Sequence, residues 1–316
     1  MKRTPLSYLS IILLLLAAAG VADAQLRLPR PSPKASVTQT IGVTDVTITY
    51  SRPAVKGRKI WGDPPADVYA KGEATLDDQN KRPEGMVIVP NGHIWRTGAN
   101  EATQFTVTDD VLINGQKLPA GSYSLHTIPG KDEWTIIFNS VANQPGSFSY
   151  NAANDALRVK TKPHMVADNT EWLSFTIDPM SENTAQVNIR WEKMHVPFTV
   201  EVKDLPAVTV AKARSVVAAA KPDDWQTPYS AANYAKNNNA AEDAAKWYEQ
   251  ALKAIDMQLK VKEDYGNMSR KAYTLFNSGK TAEGITVGEK AVELGKAEKA
   301  DTAALEKMIA DAKAKS

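Results

Sequence analysis

The stretch Gly92–Asn139, GHIWRTGANEATQFTVTDDVLINGQKLPAGSYSLHTIPGKDEWTIIFN, decides the fold. Phe105 and Val107 alternate with Gln104, Thr106 and Thr108, the period of a half-buried strand. Asn114-Gly115 then supplies a hairpin turn, because both central positions of a tight two-residue turn demand positive φ. Pro119-Ala120-Gly121 closes the next turn. Tyr123 and Leu125 share one face, Ser122, Ser124 and His126 the other, and Trp134, Ile136 and Phe138 align again after Pro129-Gly130. The pattern predicts antiparallel sheet.

The same alternation extends outward in both directions. Val46, Ile48 and Tyr50 oppose Asp45, Thr47 and Thr49 on the amino-terminal side. On the other side Leu173, Phe175 and Ile177, then Ala185, Val187, Ile189 and Trp191, then Phe198, Val200 and Val202 each mark an inward face. Short strands with frequent turns over 34–205 predict an all-β antiparallel sandwich or flattened barrel. From Pro64 to Gly85 neither period persists, and the segment reads as a surface insertion.

Beyond Pro206 the period becomes helical. Residues 206–222 read as a connecting helix or linker, and 223–316 as an all-α helical-repeat domain. Ala231, Tyr234, Ala244, Tyr248 and Ala251 align with Ala272, Phe276, Gly284, Gly288 and Ala291 as two hairpins of tetratricopeptide type, with a capping helix over Thr302–Lys315. Small residues at such spacings let paired helices approach closely. Ser278-Gly279-Lys280-Thr281 imitates the end of a phosphate-binding loop but lacks its earlier glycine and a preceding strand, so it reads as an interhelical turn.

The amino terminus has Lys2 and Arg3, an apolar block from Leu9 to Ala19, and Ala22-Asp23-Ala24. These are the parts of a signal peptide cleaved near Ala24, which predicts an exported protein, periplasmic or secreted, with no membrane span in the mature chain. Removing residues 1–24 takes two of 38 basic and one of 36 acidic residues, leaving a net charge of +1 that attracts no nucleic acid. Pro29, Pro31 and Pro33 mark 25–33 as a flexible leader. With no cysteine, an exported chain has no disulfide and no thiol chemistry, so packing alone must stabilise it.

His93, Trp95, Arg96, Asn100 and Glu101 form the best candidate ligand-binding constellation, with Glu101, Arg96 and His126 as catalytic candidates. A carboxylate, a guanidinium and an imidazole on turns can hold a polar ligand or move a proton. The competing architectural reading has Trp95 in the core, Arg96 paired with Glu101, and Asn100 closing a turn. His93, His126, His164 and His195 lie more than 30 residues apart, away from metal-motif spacing, so neither a metal nor a cofactor is expected. No Gly-x-Ser-x-Gly elbow occurs. Trp61, Trp95, Trp134, Trp172 and Trp191 read as core, with a sugar-stacking platform as the alternative.

The motifs Ile60–Gly62 (IWG), Trp95–Thr103 (WRTGANEAT), Ile113–Gly130 and Trp134–Asn139 resemble a family of exported bacterial proteins known as domain of unknown function 2911. The resemblance spans roughly Lys34 to Leu205. It implies a helical tail opening with a tryptophan and an alanine-rich, tyrosine-containing helix, which Trp225 and Tyr234 match. It implies no reaction. The chain departs from the family's pattern in the Pro64–Gly85 segment, which is usually short, and at His126, where an aromatic residue is more usual. Three function classes follow: a β module binding a small polar or glycan ligand with a protein- or peptide-binding tail at 223–316; a hydrolase using Glu101 and Arg96 with a nearby His; and a structural envelope protein.

Overall fold

The computed structural model describes residues 28–64 and 86–315. The expected signal peptide, and all but Pro64 of the expected insertion, lie outside the described residues. In chain order the strands are β1 (Lys34–Ile41), β2 (Thr44–Ser51), β3 (Trp61–Gly62), β4 (Val89–Pro90), β5 (Thr103–Val107), β6 (Val111–Ile113), β7 (Gln116–Leu118), β8 (Gly121–Ile128), β9 (Trp134–Asn139), β10 (Asp155–Thr161), β11 (His164–Pro179) and β12 (Thr184–Glu201). One sheet runs β1-β2-β5-β8-β9-β10 and a second β11-β12-β6-β7, both antiparallel. The sheets do not close on each other, so the β region is a sandwich rather than a barrel. A third pair, β3 with β4, is parallel, matching Trp61 to Val89.

The hydrophobic alternation sets the register. Ile48 lies opposite Phe105, Phe105 opposite Tyr123, and Leu125 opposite Phe138, which stacks the apolar positions of neighbouring strands on one face. Phe198 of the second sheet meets Phe105 and Phe138 at ring-centroid distances of 6.3 and 6.0 Å. Each such fully buried side chain stabilises the fold by roughly 1.5–3 kcal/mol. Asn114 and Gly115 have φ of +46° and +80°, as the β6–β7 turn requires. β12 bends sharply at Glu192, whose φ is +54°, while staying paired with β11 on both sides. Seven residues of straight strand would span about 23 Å, yet His195 Nε2 meets Asn188 Oδ1 at 2.6 Å.

Four tryptophans converge in this core. Trp95 stacks on Trp191 at 5.9 Å, and Trp61 sets its ring edge-to-face with Trp95, Trp134 and Trp191 at 5.2–5.6 Å. Trp172 stays 38% exposed on β11. The core reading therefore holds for Trp95, Trp134 and Trp191, while Trp61 is half-buried and packs against them.

The helices are α1 (Leu205–Ala218), α2 (Gln226–Asn237), α3 (Ala241–Val261), α4 (Tyr265–Asn277), α5 (Thr281–Ala297) and α6 (Ala303–Ala314). Asp204 caps α1, its side chain accepting from the Ala207 N–H at 3.2 Å, with Pro206 in the first turn. α1 is fastened to the sandwich by Lys212, which pairs with Asp109 at 2.7 Å and donates to the Val43 carbonyl. Beside them Gly42, at φ +60°, leaves room for Leu205. Ala232, Ala235, Ala244, Trp247 and Tyr248 fill one cluster, and Met268, Ala272, Ala291, Leu305 and Ile309 a second. A Cβ on Gly284 would stand 2.9 Å from the Phe276 ring, and one on Gly288 3.0 Å from Ile309. The aligned small residues are thus the points where helices touch. Ser278–Lys280 is the turn between α4 and α5, with Gly279 at φ +83°.

Candidate functional site

The segment Trp95–Thr103 is tied down along its length. Trp95 and Thr127 exchange backbone hydrogen bonds of 2.8 and 2.9 Å, and the Trp95 indole N–H donates to the Gly98 carbonyl at 3.1 Å. Thr97 and Asn100 have φ of +52° and +58°, conformations that non-glycine residues adopt only when their surroundings compel them. The compulsion is visible: Thr103 Oγ1 donates to the Thr97 carbonyl at 2.8 Å, the Thr103 N–H to the Arg96 carbonyl at 3.1 Å, and Arg96 Nη1 to the Asn100 carbonyl at 2.8 Å. A side chain at Gly98 would meet Thr103 Oγ1 at 3.0 Å and the Ser51 carbonyl at 3.2 Å.

This wiring separates the residues that the architectural reading pairs. Arg96 is engaged with the Asn100 carbonyl, while Glu101 receives Arg30 Nη1 on both carboxylate oxygens, at 2.7 and 2.9 Å. Asn100 Nδ2 donates to the Ser32 carbonyl at 3.1 Å. Residues 28–33, within the expected leader, are therefore held against this corner. The hydrogen bond from Arg30 is the main reason the Glu101 carboxyl sits below its ordinary range, so it is ionised at neutral pH.

The two histidines occupy different surroundings from Glu101. His93 is buried between β4 and Trp95. His126 is fully buried on β8, its Nε2 3.2 Å from Ser124 Oγ and its ring 5.1 Å from that of Tyr150. Glu101, by contrast, is 54% exposed. The structure thus joins Arg96 to the Asn100 carbonyl, leaves Glu101 paired with Arg30, and keeps His126 beneath the surface.

His126 belongs to a polar network whose other members the sequence reading did not single out. Residues 140–154 pass over β8 and β9, and Gln144 Nε2 from this segment donates to Ser124 Oγ at 3.0 Å, Asn139 Oδ1 at 3.1 Å and the Val141 carbonyl at 3.2 Å. Asn139 Nδ2 donates to Asp155 Oδ1 at 2.8 Å, and the Tyr150 hydroxyl to Asp155 Oδ2 at 2.6 Å. Arg158 adds bonds to Asp155 at 2.7 Å and to the Tyr150 oxygen at 2.8 Å. Burial, reinforced by the bond to Asp155, raises the Tyr150 hydroxyl well above its ordinary value, keeping it a neutral donor. The available signal was the length of the β9–β10 connection, well above the usual hairpin loop.

Between this network and the Glu101 corner lies a cleft of about 300 Å³, lined among others by Lys34, Ser51, Glu101, Gln104, Asn143 and Gln144. Gln104 Nε2 donates to Asn143 Oδ1 at 3.2 Å across one wall. The lining offers a carboxylate, an ammonium, amides and a hydroxyl, a set that binds polar groups in several orientations. Among the described residues, no three His, Asp or Glu side chains are placed to hold a metal ion, and no helix is long and apolar enough to cross a membrane.

No curated protein and no solved structure matches the chain. A family model described as a protein of unknown function, DUF2911, matches residues 32–200, from the leader's last residues to the end of β12 and short of the helices. The match takes in the Trp95–Thr103 corner, the 140–154 segment and every residue of the cleft, and the chain belongs to the DUF2911 family.

Proposed function

We propose that this is an exported binding protein, whose sandwich takes a small polar or glycan ligand in the cleft and whose segment 223–316 contacts a protein or peptide in the manner of tetratricopeptide repeats. The convergence of Lys34, Glu101, Gln104, Asn143 and Gln144 on one cleft carries the first half. The successive helical hairpins, packed through small residues, support the second. Export rests on the amino-terminal sequence, and sequencing the exported protein should find Gln25 first.

Thermal-shift and calorimetric titration against neutral and acidic mono- and oligosaccharides tests the cleft. Saturable binding that is weakened at least tenfold in Gln104→Ala/Asn143→Ala supports the reading. Binding unchanged by the double substitution removes the ligand from the cleft.

A further inference from the structure

The Asn100–Glu101 corner already holds a ligand-like group supplied by the protein itself. Arg30 reaches across 71 residues of sequence to place one guanidinium nitrogen over both oxygens of Glu101. Two residues on, Asn100 Nδ2 takes the Ser32 carbonyl, and the Arg52 N–H takes the Pro33 carbonyl at 2.8 Å. The bound segment bends at Pro31 and Ser32, and its φ is restricted at Pro29, Pro31 and Pro33, so little conformational freedom is lost when such a chain docks. The receiving side is rigid, since Arg96 holds the Asn100 carbonyl and leaves the amide directed at the segment. The grip is nevertheless light: Arg30 and Glu101 are 53% and 54% exposed, and ion pairs that exposed are readily exchanged.

We propose that this corner is a recognition site for an arginine-type guanidinium on a proline-restricted chain, occupied in cis by Arg30 and open to the same chemistry in trans. Glu101 receives the cation on both carboxylate oxygens, and Asn100 reads a main-chain carbonyl two residues further along. A planar guanidinium free to orient can present two nitrogens to the two carboxylate oxygens, which a lysine ammonium cannot match. The site stands on these contacts whether or not a glycan occupies the neighbouring cleft.

The test is an NMR titration of the mature chain, of Arg30→Ala, and of Arg30→Ala/Glu101→Gln with acetyl-Arg-Pro-Ser-amide and with agmatine. The tripeptide should bind Arg30→Ala about twofold more tightly than the wild type, shifting resonances of residues 96–104, and binding should vanish in the double variant. Tripeptide binding tighter than agmatine assigns the site to peptides; equal binding assigns it to free guanidines. Identical titrations of Arg30→Ala and the double variant, or equal binding of acetyl-Lys-Pro-Ser-amide, would overturn the proposal.

Discussion

Between the sheets Phe105, Phe138 and Phe198 meet ring to ring, whereas α5 brings Gly284, Gly288 and Gly295 against Phe276, Ile309 and Thr302. The two halves of the chain solve the same problem, a core without disulfides, by opposite choices of side-chain size. Sheets pack about 10 Å apart and need large side chains to fill the gap, while helices in close contact need one side chain to be missing. The sandwich should therefore fail when side chains are removed, and the helical part when they are added.

Phe138→Ala tests the first half and should have the largest effect, a loss of about 3–5 kcal/mol in denaturant unfolding monitored by β-sheet signal. A loss below about 1 kcal/mol would mean the sandwich collapses onto the cavity and the contrast is false. Gly295→Val tests the second: its Cβ would stand 2.5 Å from Thr302 and 2.8 Å from Tyr265. A cost of about 1–3 kcal/mol is expected, confined to the helical transition.

Asn139→Ala separates polar from apolar burial within the sandwich. It strips partners from Asp155 and Gln144, and should cost about 1–3 kcal/mol while loosening residues 140–154 in hydrogen exchange. An unchanged exchange pattern would show that the network does not hold that segment.

A smaller effect is expected from His195. Burial, with Arg190 and His164 nearby, lowers its proton affinity below the ordinary value of 6.5, against an opposing influence from Asp178. The unfolded chain then takes up the proton first, so stability falls as the pH drops below about 6.5 and levels off below the folded value. His195→Gln should flatten that part of the stability curve. Smallest of all, Arg30→Ala should change stability by no more than about 0.5 kcal/mol, because its ion pair is half in water.

The comparison also marks what could be read from sequence. Alternation at Phe105, Val107, Trp134, Ile136 and Phe138 and the Asn114-Gly115 turn are local signals, and they placed strands and turns correctly. Alternation tells which face a residue takes but not what covers that face: Ser124, His126 and Asn139 alternate away from the core and are nonetheless fully buried beneath residues 140–154. Arg30–Glu101 joins groups 71 positions apart, with no periodic signal to link them. The convergence of Trp61, Trp95, Trp134 and Trp191 is equally nonlocal, fixed by how the two sheets stack rather than by any one strand.

The short parallel pair of β3 and β4 makes the chain between them a natural grafting point. Ile88, Val89 and Asn91 N–H groups bond to the carbonyls of Lys59, Ile60 and Gly62 at 2.8–3.0 Å, and Asn91 donates to Asp63 at 2.9 Å, so both ends are clamped by residues outside residues 65–85. Once the ends are fixed, doubling the length of a connection costs only about 0.6 kcal/mol. Foreign peptides or reporter domains can be carried there with the register of both sheets left intact.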